Sequence, residues 1–265
     1  MISAKMLRIH NGTPVQLTCI GSGPTVVVVH GVMSTSENWL DVARQLAPTH
    51  QCLLLNRRGR TPEAGLGADY GLDTEVADLR DLLNDLGTDV TLVGHSYGGT
   101  IALLAALEHP DLRSLVLYEP AWPLSGSIGG SAVRLIAETV ARGDLDTALA
   151  AILTRIMNMP PEAVDQLRDA PQWQAQRVLV PAAVAELRAL DALPPTLARF
   201  AQLATPTRIL LGEVTPAESP FSHTARALMD VIPDAVLERV PGQGHLAHAF
   251  APARLAAVIA TAGLA

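Results

Sequence analysis

The chain has 265 residues, 49% of them hydrophobic and 17% charged, with a formal net charge of −7. That proportion of apolar residues supports one large buried core and excludes a disordered or fibrous protein. Arginines and carboxylates are interspersed, and no basic patch carries interleaved aromatics, which speaks against a nucleic-acid partner.

The first ten residues, Met1 to His10, reach polar side chains too early to supply the apolar region of a secretory signal. The longest apolar runs, Thr25–Val29 and Ile101–Leu107, fall short of the about 20 residues a membrane-crossing helix needs. The chain therefore reads as soluble and cytoplasmic, with no membrane partner, and as a monomer or homodimer. Lys5 is the sole lysine and stands far from any motif, against Schiff-base chemistry. Two alternating stretches around Asn11-Gly12, Lys5–His10 and Val15–Ile20, predict a β-hairpin. Three continuous apolar runs follow at Thr25–Val29, Cys52–Leu55 and Val90–Val93. Such runs suit strands of a parallel sheet covered on both faces. Helical periodicity falls between them, near Glu37–Leu46 and Asp73–Leu86. Cys19 and Cys52 sit inside these strands without metal-ligand spacing and read as buried thiols. Later strands are expected at Leu112–Tyr118, Arg208–Leu211 and Val236–Val240.

Between residues 121 and 204 the strand signal stops. Helical patterns such as Ala132–Ala141 and Ala182–Leu190 alternate with prolines at 160–161, 171, 181 and 194–195. The expected architecture is therefore α/β, a mostly parallel doubly wound sheet with a helical cap inserted after the strand that ends at Glu119. Residues 1–120 and 205–265 would form the core, and residues 121–204 the cap.

The strand at Val90–Val93 runs directly into Gly94-His95-Ser96-Tyr97-Gly98 and then into an apolar helix. Strand, sharp turn and helix around a Gly-x-Ser-x-Gly pattern make a nucleophile elbow. Ser96 must adopt a strained backbone to lift its hydroxyl clear of the sheet, and the glycines leave room for strand and helix to converge. Its place at a helix N-terminus favours developing negative charge.

At these residues the chain resembles the α/β-hydrolase superfamily over essentially its whole length. Val26–Gly31 is similar to the family's strand-to-oxyanion turn, Asn56-Arg57-Arg58-Gly59-Arg60 to the loop after the next strand, and Pro241–His245 to its histidine loop. The resemblance implies Ser96 as nucleophile and His245 as base, with His248 the nearest competitor. It implies an oxyanion hole of the Val32 and Tyr97 N–H groups, with Gly31 one residue of register from Val32. Each donor is worth roughly 2.7–4 kcal/mol in the transition state.

The third member is ambiguous. In many family members an aspartate follows the strand before the histidine loop, but Leu210-Leu-Gly-Glu-Val-Thr-Pro216 has Thr215 there. Threonine cannot carry the charge that balances an imidazolium. Glu119 ends a neighbouring strand at the same sheet edge and resembles the glutamate of zearalenone-type lactonases. Glu213 and Glu218 are the alternatives, and Asn56, in a loop position often held by aspartate, reads as structural.

The implied chemistry is acyl transfer from an ester or lactone of an apolar small molecule, with no metal or organic cofactor. Serine at the elbow argues against the dehalogenase and epoxide-hydrolase branches, which attack with aspartate. Met33, Trp122 and Trp173, with Met157 and Met159, are candidates to line an apolar pocket. Two other readings share the scaffold: a C–C hydrolase, cyclase or perhydrolase, and a ligand-binding protein without turnover.

Overall fold

The computed structural model describes residues 2–262. β1 (Ile2–Ile9) and β2 (Thr13–Gly21) form the hairpin anticipated at Asn11-Gly12, with Ile9 opposite Thr13. The remaining strands are β3 (Thr25–Val29), β4 (Gln51–Asn56), β5 (Val90–His95), β6 (Ser114–Tyr118), β7 (Thr207–Gly212) and β8 (Val236–Val240). They join one eight-stranded sheet in the order β1-β2-β4-β3-β5-β6-β7-β8. β1 and β2 pair antiparallel, as do β2 and β4, and the pairs from β4 to β8 are parallel.

The apolar runs are continuous because both sheet faces are covered, and successive side chains serve opposite cores. Val27, Val29, Leu53, Leu55 and Leu92 join one buried cluster with α2 (Leu72–Leu86) and α3 (Tyr97–Glu108). Val26, Val28, Cys52, Leu54 and Val93 join the other, against α1 (Leu40–Leu46) and a C-terminal helix at Pro252–Ala260. The same alternation separates the cysteines. Cys52 is fully buried and its thiol is pushed up to about 12 by burial, whereas Cys19, on the other face, is only half-buried; both are free.

Between β6 and β7 the chain makes five α-helices, α4 (Gly130–Ala141), α5 (Leu145–Ala151), α6 (Pro161–Leu167), α7 (Pro171–Arg177) and α8 (Val180–Asp191), with a π-helical turn at Ile152–Ile156 and a 3-10 turn at Ala198–Gln202. Prolines 161, 171 and 181 open helices rather than only separating them. In the first turn a missing N–H costs nothing and the fixed φ is already helical. These helices share an apolar cluster of their own, including Val133, Ile136, Leu149, Ile152, Trp173 and Leu187. Ala121 and Trp122 at the start of the interval, and Leu190, Leu197, Phe200 and Leu203 at its end, belong instead to the sheet core. Three further helices complete the chain: α9 (Pro220–Val231), α10 (Ala247–Phe250) and α11, the Pro252–Ala260 helix. Among the described residues no helix is long and apolar enough to cross a membrane.

Candidate active site

Strand register decides what meets at the carboxyl edge. Val29 pairs with Gly94, and His95 with Tyr118. The residues just past β3, β5 and β6 are therefore neighbours: the turn from His30, Ser96, and Glu119. The strand order also reverses at β3, since β4 follows on one side and β5 on the other. In open α/β sheets that reversal opens a crevice where ligands bind.

Backbone strain marks the same edge. Among the described residues six non-glycines have positive φ. Asn11, Asn158 and Asp234 are types that tolerate it, but Met33 (φ 55°), Ser96 (φ 54°) and Glu119 (φ 45°) are not. Each such residue costs on the order of 1–3 kcal/mol and persists only where its surroundings over-determine it. At Ser96 the surroundings are visible. Its N–H donates to Tyr118 O at 3.0 Å, and its carbonyl accepts from Gly99, Thr100 and Ala121. A Cβ at Gly94 would stand 2.5 Å from Gly98 O, and one at Gly98 would overlap the Val29 carbonyl. A Cβ at Gly31 would stand 2.9 Å from Ser96 Cβ, so the turn after β3 lies directly against the serine.

Glu119 is fully buried and hydrogen-bonded on both oxygens. Oε2 lies 2.7 Å from His245 Nδ1, while Oε1 accepts from Gly212 N at 2.9 Å and from the Thr215 hydroxyl. Burial alone would raise this carboxyl. The hydrogen bond and charge of His245, with the donors from Thr215 and Gly212, outweigh it and hold the group below the ordinary carboxylate range. Thr215, which cannot itself carry a charge, thus donates to the carboxylate of the neighbouring strand.

His245 is held from several sides. Phe221, in the first turn of α9, stacks on its imidazole with centroids 4.0 Å apart and planes 15° apart. His95 Nε2 lies 3.0 Å from the His245 carbonyl. The Tyr118 hydroxyl donates to Gly244 O and accepts from Ala247 N at 3.0 Å, bracketing His245 in the chain. No sequence signal pointed to Phe221 or Tyr118, because their positions depend on how α9 and β6 meet the loop.

The competitors lie elsewhere. Glu213 is exposed and accepts from Gly242 N at 2.7 Å, and Glu218 faces His223 at 3.3 Å. His248 is buried and stacks on Trp39, and burial then His245 lower it to about 4. Asn56 accepts from Ser36 N and donates to Gln16, a structural use.

Tyr97 directly follows Ser96, and Val32 directly follows Gly31, the turn residue that lies against the serine. Val32 and Met33 pack against the apolar cluster of the inserted helices, which brings that layer onto the turn. Trp122 and Trp173, expected to line a pocket, are used in packing. Trp122 is 1% exposed, donates to Pro194 O and meets Phe200 edge-on, while Trp173 is 3% exposed and donates to Asp146. Both indoles are buried in existing cores with their N–H groups satisfied. Met157 is exposed, and Met159 packs on the inserted cluster. Among the described residues no cluster of three or more His, Cys, Asp or Glu could hold a metal ion.

The model of the alpha/beta hydrolase family matches residues 26–258. An alpha/beta hydrolase from Sphaerobacter thermophilus superposes with a TM-score of 0.82 at 28% identity, over 97% of this chain and 99% of that one. The polyketide synthase ThaQ of Burkholderia thailandensis is 30% identical over 96% of this chain but only 13% of its own length. N-formylmaleamate deformylase of Pseudomonas putida is 37% identical over 40% of each protein. The chain thus spans well under two thirds of these two curated relatives.

Proposed function

The chain belongs to the alpha/beta hydrolase family, and from that premise we propose that it hydrolyses an ester or lactone bond of an apolar small molecule through an acyl-enzyme on Ser96. The observation that carries this reading is the 2.7 Å hydrogen bond between buried Glu119 and His245, at the sheet edge where Ser96 follows its strand.

In the proposed mechanism Glu119 Oε2 accepts a hydrogen bond from Nδ1–H, which keeps the proton on Nδ1 and leaves the Nε2 lone pair of His245 as the base. His245 takes the Ser96 proton as Oγ attacks the carbonyl carbon, and the carbonyl π pair moves onto oxygen. The N–H groups of Val32 and Tyr97 hold that oxyanion. Collapse re-forms the carbonyl and expels the alkoxide, which takes the proton from Nε2. Water, deprotonated by His245, repeats the sequence on the acyl-enzyme and releases the acid and free Ser96. Residues 121–204 act as the cap, and Met33 and Val32 form its contact with the catalytic floor. That contact supports an apolar substrate.

Rapid-quench intact mass spectrometry with activated aryl esters tests the reading. A transient mass increase equal to the acyl group, absent in Ser96→Ala, is expected. Turnover without any acyl adduct, or equal turnover by Ser96→Ala, contradicts it. A substrate panel of lactones, thioesters and N-acyl compounds then ranks the acyl donors; the deformylase relative is the reason for including the last.

A further inference from the structure

Arg57 is buried beneath the turn that follows β3, with its side chain fully shielded from solvent. Its Nε donates to His30 O at 3.0 Å and its Nη2 to Gly31 O at 2.9 Å. Gly31 O is also 3.0 Å from His30 Nδ1 and accepts a longer contact from Arg60 Nη2 at 3.5 Å. The main-chain N–H of Arg57 points at His30 Nε2 at 3.4 Å. That arrangement fits one neutral tautomer, with the His30 proton on Nδ1 and directed to Gly31 O. One carbonyl thus gathers up to three donors, two of them from guanidinium groups.

The carbonyl of Gly31 and the N–H of Val32 belong to the same peptide. In a planar trans peptide they point in opposite directions. Donors that hold Gly31 O therefore aim the Val32 N–H away from Arg57, and they polarise that N–H through the shared amide. Arg57 also faces the other donor residue, since its guanidinium carbon lies 5.0 Å from the centroid of the Tyr97 ring.

Arg57 is fixed by two carboxylates. Nη1 meets Glu75 Oε1, from α2, at 2.5 Å, and Glu186 Oε1, from α8, at 2.9 Å. Glu186 also meets Arg60 Nη1 at 2.5 Å. Its side chain is wholly buried between the two guanidinium groups. A carboxylate on an inserted helix therefore sits two contacts from the Gly31–Val32 peptide. Ionic groups with this degree of burial are poor devices for stability alone.

We propose that Arg57, anchored by Glu186 of the helical insertion, is a positioning residue that aims and polarises the Val32 N–H for the oxyanion. This rests on the acyl-transfer reading above. It adds that the inserted helices contribute to the chemical step through a charged relay as well as covering the site.

The test compares an aryl ester with its thionoester, in which sulfur replaces the carbonyl oxygen. Donors set for an oxyanion fit the larger, weakly accepting sulfur poorly, so the ester-to-thionoester ratio of kcat reports on the hole itself. In Arg57→Met the ester kcat is expected to fall about 10²-fold, KM to stay within about twofold, and the ratio to fall about tenfold or more. Glu186→Gln should lower the same ratio by a smaller factor, and it decides the matter if Arg57→Met does not fold. Arg58→Met is the structural control. It breaks another buried, though less deeply shielded, ion pair, with Asp78, and the other side-chain partner of Arg58 is His10 O and not the turn. It should lower stability and leave the ratio unchanged. A ratio that stays at the wild-type value in Arg57→Met and Glu186→Gln, or falls equally in Arg58→Met, overturns the proposal. A wild type that turns over neither substrate removes the acyl-transfer reading and this assignment with it, an outcome distinct from a conserved ratio.

Discussion

Glu119 occupies a strained backbone position, is fully buried, and still stays ionised because every contact on its carboxylate is a donor. Removing its charge while keeping its shape should therefore impair chemistry more than folding. Glu119→Gln is expected to lower kcat for an aryl ester by roughly 10³-fold or more, as expected when the base loses its orienting anion. Glu213→Gln, altering an exposed side chain that meets only Gly242, should turn over like wild type in the same assay. The depressed carboxyl also has a pH signature. A folded-state pKa below the unfolded one adds stability that is complete above the ordinary carboxylate value. That stability is lost as pH falls through the lower folded value. The difference in urea midpoint between wild type and Glu119→Gln should accordingly narrow as pH is taken from 7 to below the carboxylate range. A constant difference would mean that Glu119 is not charged in the native protein.

At the scale of elements, α4 and α8 are joined by one carboxylate. Asp191, ending α8, accepts from Ile128 N at 2.6 Å, Gly129 N at 3.1 Å and Gly130 N at 3.0 Å, and so caps the start of α4. Asp191→Ala should cost about 1–2 kcal/mol, near the upper range for a lost N-cap. Hydrogen exchange should localise the loss to residues 128–133 of the insertion, and uniform loss of protection would contradict that. The elbow glycines act between elements too: Gly98→Ala drives a methyl into the Val29 carbonyl and should abolish folding or activity outright. Much of this level was legible in the sequence. Continuous apolar runs, the Asn11-Gly12 turn and the Gly-x-Ser-x-Gly spacing are local signals, and strand, hairpin and elbow follow from them. The carboxylate at Glu119 was legible only as the end of a strand lacking a rival at Thr215. What stayed hidden depends on long-range packing. Phe221 reaches His245, and Glu186 reaches Arg57, across 24 and 129 residues of chain respectively, and no short-range pattern encodes such pairs. The burial of Trp122 and Trp173 was hidden for the same reason, since an aromatic in a helical stretch has one sequence appearance whether it lines a site or fills a core.

Across the whole molecule, three imidazoles are buried in uncharged form behind the carboxyl edge of the sheet. His30 is driven well below the usual value by burial and then by the Arg57 and Arg60 guanidinium groups, His95 well below it by burial and then by the neighbouring imidazoles of His245 and His248, and His248 is lowered to about 4. Each binds a proton more readily when the chain is unfolded, so stability rises with pH through this range. The protection they confer is complete above about pH 6.5, the unfolded histidine value, and is lost as pH falls towards the folded value, near 4 for His248. For His248 alone that is on the order of 3 kcal/mol. Tm should therefore decline as pH falls from 6.5 to 4, and His248→Phe, which keeps the stacking surface against Trp39, should make the decline shallower. An identical pH profile would show that His248 does not titrate with unfolding. The account as a whole stands on a serine activated by a histidine that a glutamate of the neighbouring strand orients. The most direct measurement is the rate of fluorophosphonate labelling by intact mass for wild type, Ser96→Ala, Glu119→Gln and Glu213→Gln, because the probe reacts with a serine only when a base activates it. The account predicts one label on wild type and on Glu213→Gln at equal rates, none on Ser96→Ala, and sharply slowed labelling of Glu119→Gln. Labelling of Glu119→Gln at the wild-type rate, or loss of labelling in Glu213→Gln, would contradict it.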